Sequence, residues 1–267
     1  MRERLIVKPG KPANLAKRDA RDGLGLEGKD EGKELLGELI EELALLQNRL
    51  WAEGERSLLL VLQGLDASGK DGTIRSVFTG VNPQGCQVVS FKAPSSNERA
   101  HDYLWRVHDV CPARGRIGIF NRSHYEDVVA VRVRELAPKR VWSKRPGHIN
   151  DFERMLTDEG TTIVKVYLHL SNEEQRERLQ ERVDNPEKRW KFRAGDLDDR
   201  ALWGDYMKAF EETITETSTK WAPWYVVPTD RNWVRNVAVA SLLVETLREL
   251  DPKIPDPEEG IAGTVVK

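Results

Sequence analysis

Short, mostly apolar runs alternate with longer helix-like repeats along this chain of 267 residues. Apolar runs of this length predict parallel strands that are covered on both faces, because every side chain then meets a helix. The predicted strands are residues 58–62, 87–92, 116–120 and 161–170, with a fifth inside the segment 221–228. Apolar residues that recur three or four positions apart predict helices over 33–53, 146–159, 203–217 and 233–250. We therefore expect an α/β fold in which helices cover both faces of a five-stranded parallel sheet.

A glycine-rich turn follows the first predicted strand, in the stretch SLLLVLQGLDASGKDGT at 57–73. The spacing of Gly64, Gly69 and Lys70 fits the G-x-x-x-x-G-K pattern, and the turn lies between a strand and a helix, as that pattern requires. Glycines let backbone N–H groups turn toward an anion, the next helix adds its positive N-terminal end, and the lysine reaches phosphate oxygens. The expected phosphate-binding residues here are Gly64, Ala67, Ser68, Gly69, Lys70, Asp71, Gly72, Thr73 and, on the helix, Arg75. The alternative is a surface turn that is merely rich in glycine.

The residue after this lysine departs from the usual pattern. Nucleotide-hydrolysing loops place Ser or Thr there to hold Mg²⁺, whereas this chain has Asp71, and Thr73 follows two positions later. A metal must therefore find other oxygens. Asp66 within the loop is one expected source, since its carboxylate could orient an acceptor phosphate through a metal or take a proton.

Further carboxylates follow the third strand, in the segment NRSHYEDV at 121–128. In P-loop proteins the strand beside the phosphate loop ends near Mg²⁺ and the attacking group, so Asp127 and Glu126 are expected metal ligands. Glu126 has an alternative role, because Ser123 lies three residues earlier and the two match a helix-capping box. Arg122, at the strand end, is expected to hold phosphates.

A lysine follows the second strand. Lys92 lies at the carboxyl end of its strand, where an α/β fold places residues that contact a ligand. Lys92 and Arg122 are therefore the expected acceptor-binding residues, and the alternative for Lys92 is a solvated side chain.

A strongly basic segment follows the fourth strand. The helix that begins at Ser171 carries Arg178 and Arg182 four positions apart, and like charges at that spacing repel unless an anion lies between them. The alternative is a solvated face on which Glu174 pairs with Arg178. The cations of the next polar stretch that are expected to bind phosphate are Lys188, Arg189 and Arg193. Nucleotide kinases carry a closing lid at this point in the chain, so we expect a basic lid at about 171–201.

The overall composition narrows the function further. A net charge of −2 with 32% charged residues argues against a basic nucleic-acid-binding protein, so any anion site must come from local clustering. The two cysteines, Cys86 and Cys111, lack C-x-x-C or histidine partner spacing, which argues against a zinc site and a disulfide scaffold. The N-terminus lacks an apolar signal segment, and no apolar run reaches the ~20 residues needed to cross a bilayer. We therefore expect a cytoplasmic protein that contacts neither nucleic acid nor membrane.

The same patterns predict how the chain is divided. Residues 1–32 are expected to form an extended arm, residues 33–250 one α/β domain with its lid, and residues 251–267 a proline-rich tail. The long helix at 33–53 and the arm predict a dimer or tetramer, although a helix that only covers the sheet would have the same pattern.

Five β-α units, with a phosphate loop after the first and a basic insertion after the fourth, describe a P-loop kinase of the nucleoside-monophosphate type, similar to thymidylate kinase. Four segments, GLDASGKDGT, FNRSHYEDV, ERLQERVDNPEKRWKF and STKWAPWYVVP, resemble the family-2 polyphosphate kinases, and the resemblance covers nearly the whole chain. It implies transfer of a terminal phosphoryl group between inorganic polyphosphate and a nucleotide, with Mg²⁺ or Mn²⁺ as cofactor. The catalytic residues that it implies are Asp66, Lys70, Arg122, Asp127, Arg178 and Arg182.

One pair of residues narrows the resemblance. Many relatives carry Asp where this chain has Asn121, and Asn121 together with Glu126 resembles the subgroup, often called class III, that phosphorylates nucleoside monophosphates and diphosphates. Both residues therefore join the expected catalytic set, with AMP and ADP as acceptors and ADP and ATP as products. Two alternatives remain, an ATP-dependent nucleoside monophosphate kinase of the same fold and a non-catalytic P-loop protein that binds polyphosphate or nucleic acid. Asp71 and the basic lid argue against the first, and the retained Lys70 and Asp127 argue against the second.

Overall fold

A mixed β-sheet forms the centre of an α/β fold in the computed structural model, which describes residues 1–261 and 264–265. Its strands are β1 (Ile6–Val7), β2 (Ser57–Gln63), β3 (Cys86–Ser90), β4 (Ile117–Asn121), β5 (Thr161–His169) and β6 (Trp224–Pro228). The helices are α1 (Arg2–Leu5), α2 (Lys29–Glu53), α3 (Lys70–Val77), α4 (Ser96–Arg99), α5 (Trp105–His108), α6 (Val129–Val133), α7 (Lys139–Trp142), α8 (Arg145–Asp158), α9 (Asn172–Asp184), α10 (Ala194–Ala201), α11 (Trp203–Thr217) and α12 (Asn232–Leu250).

Among the described residues the sheet has six strands, in the order β1-β6-β5-β2-β4-β3. The prediction of a five-stranded sheet was therefore wrong in number. Strands β2 to β6 pair in parallel, whereas β1 pairs antiparallel to β6, with Ile6 opposite Tyr225 and Val7 opposite Trp224. A strand of two residues is too short to show a period of two, which is why the sequence pattern did not reveal it.

Both faces of the sheet are covered by helices. All seven positions of β2 are buried. Leu58, Leu60 and Leu62 point into the core that contains the apolar face of α2 and most of α12, while Leu59 and Val61 point into a second core with α8 and α11. Alternate residues of one apolar strand thus serve two cores, as expected for a parallel sheet between helical layers.

The longest helix, α2, begins four residues before its predicted start and ends at Gly54, which has a φ of 66°. Its buried Leu43, Leu46 and Leu50 belong to the same core as α12. The apolar pattern of this helix, which fitted either oligomer contacts or a helix that only covers the sheet, is therefore accounted for by packing within one chain. Glycine at the left-handed position after the last turn is the expected helix stop.

The N-terminal arm lies against the body of the protein. The Arg18 guanidinium donates to the carbonyl oxygens of Ala13, Leu5 and Ile6 within the arm. The Glu211 carboxylate of α11 accepts from the backbone N–H groups of Asn14 and Leu15. These hydrogen bonds, with the pairing of β1, fix the path of the arm along one edge of the sheet.

At the other end, residues 251–261 of the predicted tail form neither helix nor strand, and residues 262, 263, 266 and 267 lie outside the described residues. Within the part of the chain that the structure describes, no helix combines the length and apolarity needed to cross a membrane.

Candidate active site

The carboxyl ends of two neighbouring strands bring the expected site residues together. Strands β2 and β4 run side by side with Leu62 opposite Asn121. The glycine turn after β2 and the segment after β4 therefore leave the sheet at the same edge, which is where α/β folds bind ligands.

Lys70 is the first residue of α3, and its side chain lies over the glycine turn. Its Nζ atom donates to the carbonyl oxygens of Gly64, at 2.6 Å, and Leu65, at 3.2 Å. Burial, and then the charge of Arg122, lower the pKa of Lys70 to about 8, although three nearby carboxylates oppose the shift. The ammonium is therefore mostly protonated at neutral pH and is held by neutral carbonyl groups that a phosphate can replace.

The turn itself needs glycine and leaves one hydroxyl free. Gly64 has a φ of 153°, and a Cβ atom there would lie 2.8 Å from Ser68 Oγ. Ser68 Oγ is buried without a hydrogen-bond partner among the described residues, while Thr73 Oγ1 donates to the Gly69 carbonyl at 3.0 Å. An unpaired donor inside a phosphate-type turn is an observation that fits an anionic ligand.

Asp66 and Arg122 form an ion pair across the turn. Arg122 has a φ of 62°, an uncommon conformation for a residue other than glycine, and its N–H donates to the Leu62 carbonyl at 3.0 Å. Burial acts to raise the pKa of Asp66, but Lys70, Arg122 and Arg182 together lower it. The site therefore keeps an ionised carboxylate among three cations.

Glu126 faces the same cations. With the Gln63 amide oriented for hydrogen bonding, its nitrogen donates to Glu126 Oε1 at 2.9 Å and its oxygen accepts from Ser123. Ser123 Oγ also accepts from the N–H of Tyr125, so the alternative capping box between Ser123 and Glu126 does not form. Burial raises the pKa of Glu126, while Arg122 and Lys70 oppose the shift.

Asp127 has different partners from those expected. Its carboxylate lies 3.4 Å from Arg106 Nη2 and 3.6 Å from Arg145 Nη1, and Arg145 also donates to its backbone carbonyl. Burial raises the pKa of Asp127, and the two arginines oppose the shift. Two arginines, rather than the lysine of the turn, thus neutralise this carboxylate.

The carboxylates allow a test of the expected metal. Within the described ranges, no group of three or more His, Cys, Asp or Glu side chains is arranged to hold a metal ion. Mg²⁺ is commonly bound by one or two carboxylates together with substrate phosphates and water. Asp66 and Glu126, which share the cations of the turn, fit such a metal, whereas Asp127 is held by its arginines. Asp71 accepts a hydrogen bond from Asn121 Nδ2 at 2.6 Å.

The two arginines of α9, which the sequence predicted to bind an anion between them, each pair with a carboxylate of the chain. Arg178 Nε donates to Glu174 at 2.8 Å, its Nη1 donates to the Ala67 carbonyl at 3.1 Å, and its Nη2 donates to the Thr229 carbonyl at 2.6 Å. The alternative, in which Arg178 pairs with Glu174, is therefore the one observed. Arg178 also fixes the glycine turn through its hydrogen bond to the Ala67 carbonyl. Arg182 lies 3.5 Å from Asp196 of α10 and also acts on Asp66.

The remaining expected phosphate-binding cations form no ion pair with the carboxylates of this cluster among the described residues. Lys188 pairs with Glu181, and Arg189 donates to the Val183 carbonyl, so both bond within their own segment. Arg193 is exposed at the start of α10. Arg75 and Lys92 are exposed, and in the described residues their side chains form no hydrogen bond or ion pair.

Several residues that shape the site were missed from the sequence. Gln63 is hydrogen-bonded to Glu126, and Gln175 donates to the Asp66 carbonyl. Arg106 and Arg145 form ion pairs with Asp127. Amides and arginines of this kind carry no period or motif. No signal in the sequence could have found them.

A buried ion pair supports the turn that carries Glu126 and Asp127. Lys165 Nζ lies 2.6 Å from Glu153 Oε2 and 2.9 Å from Tyr125 Oη, and it donates to the Thr217 carbonyl at 2.7 Å. Tyr125 Oη in turn donates to Glu153 at 2.8 Å. A lysine inside the apolar run TTIVKVYLHL was a signal for this pair, because a buried charge requires a partner.

Comparison with known proteins gives this site a context. The family model described as Polyphosphate kinase 2 (PPK2) matches residues 26–255. An AMP/ADP-polyphosphate phosphotransferase from Meiothermus ruber is 55% identical over 262 residues, which cover 98% of each chain. An ADP-polyphosphate phosphotransferase from Rhodopseudomonas palustris is 44% identical over 94% of this chain and 91% of that protein. The crystal structure of polyphosphate kinase 2 from Arthrobacter aurescens TC1 matches with a TM-score of 0.93 at 43% identity, over 97% of this chain and 93% of that one.

Proposed function

The chain belongs to the polyphosphate kinase 2 family, and we propose that it transfers the terminal phosphoryl group of inorganic polyphosphate to AMP and ADP, forming ADP and ATP reversibly. The family and the relatives with both acceptors in their name support this activity. Within the chain, one observation carries it: Lys70, Arg122, Asp66 and Glu126 act on one another around a glycine turn at the carboxyl edge of the sheet.

The chemistry follows from this arrangement of charge. Phosphoryl transfer passes through a loose transition state with negative charge on three oxygens, so alignment and cations are what the protein must supply. Lys70 and Arg122 provide the cations. The backbone N–H groups of the turn and Ser68 Oγ would donate hydrogen bonds to the phosphates of the polyphosphate. The acceptor phosphate is already ionised, so no base has to remove a proton from it.

The proposed cofactor is Mg²⁺, or Mn²⁺. Asp66 and Glu126 would hold it, and such an ion neutralises charge on the reacting phosphates when bound. Asp127 would then act through Arg106 and Arg145, which it orients near the end of β4.

We propose that the fold is that of a P-loop kinase, with residues 171–201 as a lid that closes over the phosphates. The support is the order of the elements: the glycine turn follows β2, and the basic segment between α9 and α10 follows β5. We further propose a cytoplasmic homo-oligomer that binds neither nucleic acid nor membrane.

We propose that Asn121 helps both AMP and ADP to serve as acceptors. Replacing Asn121 by Asp should place a second carboxylate against Asp71, because Asn121 Nδ2 now donates to Asp71 Oδ1. We expect kcat/KM for AMP to fall by about tenfold, equivalent to about 1.4 kcal/mol, through repulsion of the acceptor phosphate. Steady-state assays with AMP and with ADP would measure the effect. Asn121→Ala is the control, since it loses the hydrogen bond without adding charge; an equal loss in both variants would exclude repulsion as the cause.

The competing function is an ATP-dependent nucleoside monophosphate kinase. Incubating the protein with Mg²⁺, AMP and polyphosphate, and in parallel with Mg²⁺, AMP and ATP, distinguishes the two donors, because polyphosphate gives ADP and ATP from AMP whereas ATP as the donor gives only ADP. We expect rapid formation of both products with polyphosphate. Product formation only with the nucleoside triphosphate would refute the proposal, and polyphosphate binding without product would indicate a non-catalytic protein.

A further inference from the structure

A buried arginine lies behind the glycine turn. Arg235, near the start of α12, is only 3% exposed. A Cβ atom at Gly69 would overlap Arg235 Nη1, and one at Gly72 would lie 3.2 Å from Arg235 Nη2. The guanidinium therefore packs directly on the turn and on the first turn of α3, and both glycines leave room for it.

The partners of this guanidinium are neutral. Nε and Nη2 donate to Asn236 Oδ1, at 3.1 and 2.9 Å, and Nη1 donates to Asn232 Oδ1 at 2.7 Å. A guanidinium has five N–H groups, so two are left, one on each of the nitrogens that face the glycines. Across residues 1–261 and 264–265, no carboxylate forms an ion pair with Arg235.

Among the described residues, therefore, no opposite charge compensates that of Arg235. Burial, and then the nearby Arg178, lower the pKa of Arg235 to about 9, so it is still protonated at neutral pH. Buried charges in proteins are normally paired with an opposite charge, since removing an ion from water is costly. An anion is thus needed close to Gly69 and Gly72, and that is the place where the glycine turn would hold phosphate.

We infer that Arg235 is a polyphosphate-recognition residue that acts from behind the glycine turn, and that the bound donor phosphates supply its counter-charge. This inference rests on the proposed function and adds a residue to it. Arg235 acts through the turn and through its charge, so it is a positioning residue. The packing of Arg235 also explains why residue 72 is a glycine, which the G-x-x-x-x-G-K pattern does not require.

The test compares Arg235→Gln and Arg235→Lys with the wild-type protein. Arg248→Gln is the matched control, because Arg248 is on the same helix but is exposed and paired with Glu42. Calorimetric titration with inorganic polyphosphate gives Kd, steady-state kinetics give KM for polyphosphate and for AMP, and thermal melts give Tm with and without polyphosphate.

We expect Arg235→Gln to raise Kd and KM for polyphosphate by about tenfold or more, with KM for AMP within about twofold of wild type. Arg235→Lys should restore most of the affinity. The Tm of ligand-free Arg235→Gln should stay the same or rise, because an unpaired buried charge is removed, while the increase in Tm caused by polyphosphate should shrink.

Two results with the variants would overturn the inference. One is wild-type polyphosphate affinity in Arg235→Gln while the enzyme still transfers phosphate from polyphosphate to AMP; the proposed function would then stand alone. The other is a lower ligand-free Tm in both variants with equal losses toward AMP and polyphosphate, which is the signature of a structural arginine. If the wild-type protein itself fails to bind polyphosphate, the proposed function and this inference both fail.

Discussion

Replacing Lys70 by methionine should reduce the rate of phosphoryl transfer from polyphosphate by at least about 100- to 1,000-fold. Lys70 Nζ is the cation that lies directly over the glycine turn, and its present partners are the Gly64 and Leu65 carbonyls. Methionine keeps most of the length of the side chain but removes the charge and the hydrogen bonds of the ammonium, so the fold should remain. Steady-state kcat with saturating AMP and polyphosphate measures the loss, and circular dichroism and Tm establish that the protein is folded.

Lys92→Met is the matched control for this change. Lys92 is an exposed lysine with no side-chain partner in the part of the chain that the structure describes, which favours the solvated side chain that the sequence left open as the alternative to acceptor binding. We expect a small effect on kcat from this variant. A Lys70→Met enzyme with the wild-type rate would exclude the glycine turn as the site of transfer.

Replacing Lys165 by methionine should lower the free energy of unfolding by about 3–5 kcal/mol, since the Glu153 carboxylate would remain buried without its cation. Glu153 and Lys165 are each at most 1% exposed, so water cannot replace the lost partner. Urea unfolding followed by fluorescence gives the free energy. Activity should fall as well, because Tyr125 bonds both residues and precedes Glu126 in the chain.

The double variant Lys165→Met with Glu153→Gln separates charge from packing. If the uncompensated carboxylate causes the loss, the double variant should be more stable than Lys165→Met alone, because glutamine still accepts from Tyr125 without carrying a charge. A double variant as unstable as the sum of both single changes would mean that the network contributes through packing instead.

The sequence predicted those parts of the molecule that have a period or a motif. The central strand β2, the long helix α2 and the glycine turn follow from unbroken apolar runs, from three-to-four spacing and from G-x-x-x-x-G-K. The meeting of Lys70 with Arg122 and Glu126 followed as well, because parallel strands end at one edge and β2 and β4 are neighbours. These features are local, or they depend only on strand order.

What the sequence could not predict depends on long-range placement. Asp127 follows the strand end as closely as Glu126 does, yet it is neutralised by Arg106 on the four-residue helix α5 and by Arg145 at the start of α8, and no pattern in the sequence connects either arginine with Asp127. Arg178 and Arg182 share one helical stripe, but only the folded chain reveals that Arg178 is bonded to the Ala67 and Thr229 carbonyls. Arg235 stands among apolar residues of α12, and its neighbour across space, Gly69, is remote in sequence.

The pairing of β1 with β6 has a consequence for how the protein forms during synthesis. Ile6 and Val7 leave the ribosome long before their partners, Tyr225 and Trp224, because more than 200 residues of the chain separate them. Strand β1 must therefore wait until β6 has been synthesised, and it joins the sheet as a late step of folding. A nascent chain that is stalled before β6 would leave this strand without its partner.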